Sequence, residues 1–118
     1  DGPSTGRFVA PLGVEVTEDG KLWVVDKGEP GKGEPKLVVW DVEAERLDRV
    51  VYLQTPVTGP NSFVQDLAVD AAHGCVFLAD MGRADLVGPA DPAIIAIDLR
   101  TGLARRALSG HPSLQPVG

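Results

Sequence analysis

The stretch VQDLAVDAAHGCVFLADMG, residues 64–82, decides the fold because it contains two strand patterns separated by a turn. An earlier stretch, GVEVTEDGKLWVVDKG at residues 13–28, follows nearly the same pattern. A loop rich in Gly and Pro follows each copy, and after it comes a matched apolar strand, PKLVVWD at 35–41 and PAIIAID at 92–98. These two pairs of segments indicate an internal repeat.

The spacing of the repeat predicts its architecture. Asp26 and Asp80 are 54 residues apart, and Asp41 and Asp98 are 57 apart, the difference being absorbed by a longer loop. A period in the forties to fifties, with four strands in each repeat, is typical of a β-propeller blade. A single four-stranded sheet leaves two apolar faces uncovered, so blades stack on neighbouring blades. The sequence therefore predicts an all-β fold of two four-stranded propeller blades.

Loops and strand patterns divide the chain into five segments. We predict a lead-in at 1–12, a blade at 13–54, a linker loop at 55–63, a second blade at 64–108 and a tail at 109–118 that leads towards a next blade. Eight strands are expected, at 14–17, 22–25, 36–40 and 46–53 in the first blade and at 64–70, 75–79, 93–97 and 103–108 in the second. In the lead-in, Phe8 and Val9 fit a short edge strand.

The composition is that of an acidic globular domain. The chain has 118 residues, of which 43% are hydrophobic and 24% charged, and its formal net charge is −6. Nucleic-acid binding requires a basic face, so this charge argues against a nucleic-acid partner. No apolar run reaches the roughly 18 residues of a membrane-spanning helix, so no membrane insertion is expected. The single cysteine, Cys75, cannot form an intrachain disulfide.

Two blades do not close a propeller, because closed rings have about four to eight blades. The chain is therefore either part of a longer one or completes a ring by self-association. Three copies of a two-blade chain would give six blades, so a trimer is one expectation.

The order and spacing of several short segments resemble a known family. They are LWVVDKG at 22–28, PKLVVWD at 35–41, FVQDLAVD at 63–70, DLRTGLARRAL at 98–108 and HPS at 111–113. Together they make the chain similar to the major royal jelly protein and Yellow family, including its bacterial members that are described as dopachrome-tautomerase-related or gluconolactonase-like. The resemblance implies a partial six-bladed propeller and a secreted or periplasmic location. It also implies a binding role, because enzymatic activity is sparse in the family.

Candidate site residues lie at the starts of the innermost strands, where the blades of a propeller converge on the central channel. We predict that Asn61, Gln65 and Asp66 bind a small-molecule ligand. Glu15 and Asp66 are oxygen donors of the kind that Ca²⁺ prefers, and lactonase-type propellers hold a divalent metal at the channel. The family often has Asn-Asp where this chain has Gln65-Asp66. Structural roles stay open, since Asn61 also suits a loop, Asp66 a backbone cap and Glu15 an exposed strand edge.

Two pairs of matched aspartates are expected to be structural. Asp26 and Asp80 each precede a glycine by two residues, which suits an Asx-turn that caps the end of a strand. Asp41 and Asp98 also occupy matched positions before turns. Because both pairs recur in the two repeats, we predict backbone caps rather than catalytic carboxylates.

Three functions are compatible with these observations. The first is a ligand-binding propeller of the royal jelly and Yellow type without a demonstrated enzymatic activity. The alternatives are a Ca²⁺-dependent, gluconolactonase-like hydrolase with its site at the central channel, and a scaffold that binds proteins through its loops.

Overall fold

A computed structural model of the chain describes residues 8–29, 31–54, 56–59, 62–82, 91–108 and 113. Within these ranges eight strands form two four-stranded antiparallel sheets, each in sequential order. The strands are β1 (Pro11–Val16), β2 (Lys21–Asp26), β3 (Lys36–Asp41), β4 (Arg46–Tyr52), β5 (Val64–Asp70), β6 (Cys75–Asp80), β7 (Ala93–Asp98) and β8 (Ala104–Ala107), with a short 3₁₀ turn at Ala71–His73. The all-β prediction of two four-stranded blades is therefore confirmed.

The turns between strands follow from their residues. Gly20 ends the β1–β2 hairpin with a φ of 80°, which glycine adopts without strain. Asp70 caps the 3₁₀ turn between β5 and β6 by accepting the N–H of His73, and Gly74 then takes the left-handed conformation. These two tight hairpins place each first strand beside its return strand, so both sheets are simple meanders.

The predicted strands all form, and their ends differ by a few residues. The first strand begins at Pro11, earlier than expected, whereas the last begins at Ala104. The prediction of an edge strand at Phe8 and Val9 is wrong, because neither residue pairs in a sheet. The N–H of Val9 instead donates to the carboxylate of Asp26 at 2.7 Å, so this backbone binds a side chain rather than a strand.

One hydrophobic core lies between the two sheets. Strands β2 and β3 are almost continuously buried from Trp23 to Asp26 and from Lys36 to Val39. We call the sides of the two sheets that meet in this core the contact faces. Their central residues are Trp23, Val25, Leu37 and Val39 in the first blade and Val76, Leu78, Ile95 and Ile97 in the second.

The opposite sides of the sheets, which we call the outer faces, are also apolar and are unevenly exposed: Val24 and Val38 are buried, whereas other positions are open to solvent. Directly paired residues on neighbouring strands point to the same side of a sheet, so the register defines these faces. In the first blade the outer face contains Val14, Val16, Leu22, Val24, Val38 and Trp40. In the second it contains Ala68, Phe77, Ala79, Ile94 and Ala96. Val16 is 66% exposed and Phe77 is 41% exposed.

Helical structure contributes little in the described part of the chain. The 3₁₀ turn at Ala71–His73 is three residues long. Among the residues that the structure describes, no helix is long and apolar enough to cross a membrane.

Candidate functional site

The first strands of the two blades, β1 and β5, lie side by side. The backbone of Gly13 in β1 approaches the backbone of β5 closely: a Cβ atom at this position would lie 2.9 Å from the carbonyl oxygen of Gln65 and 3.2 Å from the Cα of Asp66. Only glycine allows this approach without displacing a strand. The innermost strands therefore converge at Gly13, at the end of the sheets where β1 and β5 begin.

A β-bulge interrupts both first strands at equivalent positions. In β5 the pairing with β6 runs from Val64 to Asp66 and leaves Gln65 without a partner. In β1 the pairing with β2 leaves Leu12 unpaired in the same way. A bulge bends its strand and changes the direction of the side chain that it carries. Gln65 and Leu12 are both exposed, so the bulges present one side chain from each blade at the start of the inner strands.

Asp66 has an exposed carboxylate next to this bulge. Its Oδ1 accepts a hydrogen bond from the backbone N–H of Leu67 at 2.8 Å. The predicted role of Asp66 as a backbone cap is thus partly realised within its own strand. Gln65 and Asp66 are adjacent, exposed and polar, so they are available to a ligand at this end of the sheets.

Glu15 lies deeper along β1 and joins the two blades. Its Oε1 accepts the N–H of Val69 in β5 at 3.3 Å. Gly13 is level with Asp66, and each residue of a strand rises by about 3.3 Å, so Glu15 is about 7 Å further along the strand direction. Glu15 therefore contacts β5 at a different level from Asp66.

The buried aspartates hold the segment that precedes each first strand. Asp26 accepts the N–H groups of Val9, Ala10 and Gly28 at 2.7, 2.9 and 2.8 Å. Asp80 accepts the N–H groups of Phe63 and Gly82, both at 2.8 Å. The bonds to the two glycines confirm the predicted Asx-turns. The bonds to the preceding segments show that these carboxylates also fix where β1 and β5 begin.

Asp80 has two further partners that Asp26 lacks. The hydroxyl of Ser62 donates to Oδ2 at 2.7 Å, and Nη1 of Arg106 lies 2.6 Å from the same oxygen. The Asp80 side chain is fully buried, whereas 15% of the Arg106 side chain is exposed. Arg106 also donates to the carbonyl of Val57 at 3.1 Å. This ion pair ties β6 to the outer strand β8 and to the loop before β5.

The second pair of aspartates caps turns at the opposite end of the sheets, as predicted. Asp41 accepts the N–H of Ala44 at 3.0 Å, and Asp98 accepts the N–H of Arg100 at 2.9 Å. The hydrogen bond from Ala44 and the ammonium of Lys21 hold the pKa of Asp41 below its ordinary value. The same contact, helped by Asp48, raises the pKa of Lys21.

The described residues do not assemble a metal site. Among them, no group of three or more His, Cys, Asp or Glu side chains is placed to hold a metal ion. Glu15 contacts β5 at a different level from Asp66, which is itself in β5. This difference in level is larger than the distance of about 2.3–2.6 Å between a Ca²⁺ ion and a ligand oxygen. Asn61 lies outside the described residues. The assignments of Glu15 and Asp66 to a metal, and of Asn61 to a ligand, stay predictions.

A separate cavity lies at the same end of the first blade but away from the inner strands. It has a volume of about 270 Å³ and is lined by Val9, Lys32, Gly33, Glu34, Lys36, Tyr52 and Gln54. The ammonium of Lys36 lies 6.0 Å from the centre of the Tyr52 ring. This cavity could not be predicted, because the loop before β3 has no sequence motif that fixes its shape.

Two meandering four-stranded sheets, stacked face to face with their first strands converging, define a β-propeller of which two blades are present. The family model for major royal jelly proteins matches residues 9–103. The chain therefore belongs to the major royal jelly protein family, as its sequence motifs indicated. A search of curated proteins found no match.

Proposed function

We propose that this protein is a ligand-binding propeller whose site lies where the inner strands begin, and that binding there is not coupled to catalysis. The observation that carries the proposal is the bulge at Gln65, where two successive residues, Gln65 and Asp66, are exposed and their backbone lies against Gly13. Family membership supports the same general function.

A small aromatic amine suits this chemistry. Asp66 offers a carboxylate to an ammonium group, and Gln65 offers both a donor and an acceptor. A net charge of −6 further favours a cationic ligand over an anionic one. A single exposed ion pair contributes about 0 to 1 kcal/mol, so affinity requires that several blades direct their inner strands at the same ligand.

Calorimetric titration with tyramine tests this function. We expect binding to the unmodified protein and at least a severalfold loss of affinity in Asp66→Asn, because the variant keeps the shape of the side chain but removes its charge. Glu43→Gln is the matched control, since it removes the same charge from an exposed turn between β3 and β4. Equal affinity of all three proteins, or no binding, would contradict the proposal.

The Ca²⁺-dependent hydrolase is the second candidate, and the exposed Asp66 carboxylate is the observation in its favour. It requires ligands from blades beyond those of one copy. Glu15 supports this candidate less well, because its carboxylate already accepts the N–H of Val69. The described residues offer no specific feature that favours a protein-binding scaffold.

We also infer self-association as one of two ways in which a ring around this site is completed, with three copies supplying six blades; the other is a longer chain. The apolar outer faces support this arrangement, since each has the position of a face that packs on a neighbouring blade. Light scattering on a size-exclusion column tests it. A trimer has three times the chain mass of 12.4 kDa, and a monomer at micromolar concentration would contradict it.

A further inference from the structure

The cavity at the end of the first blade has a wall that is held in place by hydrogen bonds. The N–H of Glu29 donates to the carbonyl of Gly33 at 3.0 Å, and the N–H of Gly33 donates back to the carbonyl of Glu29 at 3.1 Å. Gly33 lies against Val9, whose Cγ2 would be 2.9 Å from a Cβ atom at this glycine. The N–H of Val9 donates in turn to the carboxylate of Asp26 at 2.7 Å. These contacts form the wall before any ligand binds.

A buried cation contributes to the lining of this cavity. Lys36 is only 3% exposed, although lysine is rarely buried to this extent. Its ammonium lies 6.0 Å from the centre of the Tyr52 ring, which also lines the cavity. The other two charged residues of the lining, Lys32 and Glu34, are exposed, and Lys32 is paired with Glu29 at 3.0 Å. The buried charge of the lining is therefore positive, in a chain whose net charge is −6.

The register of the strands identifies the equivalent space in the second blade. Lys36 and Ala93 are the first residues of β3 and β7, and each pairs with the aspartate that ends the preceding strand. Glu34 and Asp91 both lie two residues before these positions, so they are equivalent as well. The space beside Ala93 and Asp91 in the second blade therefore corresponds to the cavity of the first.

An arginine reaches into this space in the second blade. Nη2 of Arg106 donates to the carbonyl of Asp91 at 2.5 Å. Arg106 pairs with Ile95 in the second blade, as Val50 pairs with Val38 in the first. Because a valine side chain ends at Cγ, the volume that a guanidinium occupies in the second blade stays open in the first. The first blade supplies its cation from β3 instead.

The size and charge of the cavity define a class of ligand. Its volume of about 270 Å³ lies just below the range of about 300–1,000 Å³ that is usual for ligand pockets, so the ligand must be small. The ammonium of Lys36 has donors only, which suits a carboxylate. A doubly charged phosphate group would require a second buried cation, because buried charges must be paired. The Tyr52 ring and the side chain of Val9 offer apolar surface to an aromatic ring.

We propose that this cavity binds a small aromatic carboxylate, whose oxygens accept hydrogen bonds from Lys36 and whose ring packs against Tyr52. The site is distinct from the one at Gln65 and Asp66 and prefers a ligand of the opposite charge. All of its lining residues belong to the first blade and to the segment before it. The site therefore needs no residue from a further blade, whichever chain supplies that blade.

Calorimetric titration of the full-length protein with benzoate tests this site. We expect saturable binding to the unmodified protein and about tenfold or weaker binding to Lys36→Met, because a charged hydrogen-bond donor is lost. Lys21→Met is the matched control, since it removes the same charge at the opposite end of the sheet, where Lys21 pairs with Asp41. Benzamide, which keeps the ring but is neutral, should also bind more weakly than benzoate. Absence of benzoate binding, or equal affinity of Lys36→Met and the unmodified protein, would overturn the proposal.

Two further measurements locate the site without the Lys36 variant, since the loss of a buried lysine is itself destabilising. Tyr52→Ala changes a position that is 40% exposed, so circular dichroism should show folded protein, and its affinity for benzoate should fall severalfold. In an NMR titration of the unmodified protein, benzoate should shift the backbone amide signals of Gly33 and Gln54 but not that of Asp66. Unchanged affinity in Tyr52→Ala, or shifts at Asp66 alone, would overturn the proposal and leave the site at Asp66 unaffected.

Discussion

Asp26 and Asp80 bind equivalent backbone groups in the two blades. Oδ1 of each accepts the N–H of the glycine two residues later at 2.8 Å. The same oxygen accepts an N–H from the segment before the first strand, from Ala10 at 2.9 Å and from Phe63 at 2.8 Å. Both carboxylates are buried, with exposures of 0% and 2%. Each blade therefore fixes the start of its inner strand with one buried carboxylate, and only the second blade adds an arginine.

Replacing these carboxylates should destabilise the protein to different extents. In Asp26→Asn the amide faces backbone donors, and we expect a loss of about 2 kcal/mol. In Asp80→Asn the partly buried Arg106 also loses its counter-ion, so we expect about 3 kcal/mol or more. Urea unfolding at pH 7 measures both free energies. A double-mutant cycle with Arg106→Gln should give a coupling energy of about 1–3 kcal/mol, and equal losses for the two single variants would contradict this explanation.

Alanine substitutions at two glycines with the same backbone conformation separate the cost of backbone strain from the cost of steric collision. Gly82 has a φ of 66° and Gly74 a φ of 65°. A Cβ atom on Gly82 would collide with the carbonyl oxygen of Asp91, whereas nothing lies within 4 Å of one on Gly74. We expect Gly74→Ala to cost about 1 kcal/mol, from the left-handed conformation alone. Gly82→Ala should cost about 3 kcal/mol or more, because the backbone must also move. Thermal unfolding of both variants checks the difference, and similar losses would show that the loop at Asp91 yields freely.

The repeat, the eight strands and the aspartate caps could be predicted because each depends on residues close together in sequence. An Asp two residues before a Gly indicates an Asx-turn in any chain. The bond from Glu15 to Val69 and that from Arg49 to Leu99 could not be predicted, because they depend on how one sheet packs on the other. Gly13 carried no signal either, since a glycine at the start of a strand fits a bulge, a turn or a close approach equally well.

Acid should weaken the cap at Asp41. Its pKa is lowered in the folded protein by the N–H of Ala44 and by Lys21, so the unfolded state binds more protons over the window below the ordinary value of 3.8. The stabilisation is present above that value and is lost as the pH falls through the lower pKa of the folded state. We expect Asp41→Asn to be less stable than the unmodified protein at pH 7. In acid the free energies of unfolding of the two proteins should become similar. Urea unfolding between about pH 2.5 and 7 measures this. Glu43→Gln controls for charge, and a parallel pH dependence of Asp41→Asn and the unmodified protein would contradict the assignment.

Variants of Glu15 separate a bond between blades from a metal ligand. The amide oxygen of Glu15→Gln can still accept the N–H of Val69, so its stability should match that of the unmodified protein within about 0.5 kcal/mol. Glu15→Ala should lose about 1 kcal/mol, because the partly buried N–H of Val69 loses its acceptor. Thermal unfolding with and without Ca²⁺ completes the test. A melting temperature that rises with Ca²⁺ in the unmodified protein, but not in Glu15→Gln, would favour the metal-dependent hydrolase.

Arg49 should stabilise the contact between the two sheets. Its Nη1 donates to the carbonyl of Leu99 in the second blade at 2.8 Å, so Arg49→Ala should lower the free energy of unfolding by about 1–2 kcal/mol. Arg105→Ala is the matched control, because Arg105 is exposed in β8 and its loss should leave the free energy of unfolding unchanged within about 0.5 kcal/mol. Urea unfolding at pH 7 measures both free energies. Equal losses for the two variants would contradict the role of Arg49 between the sheets.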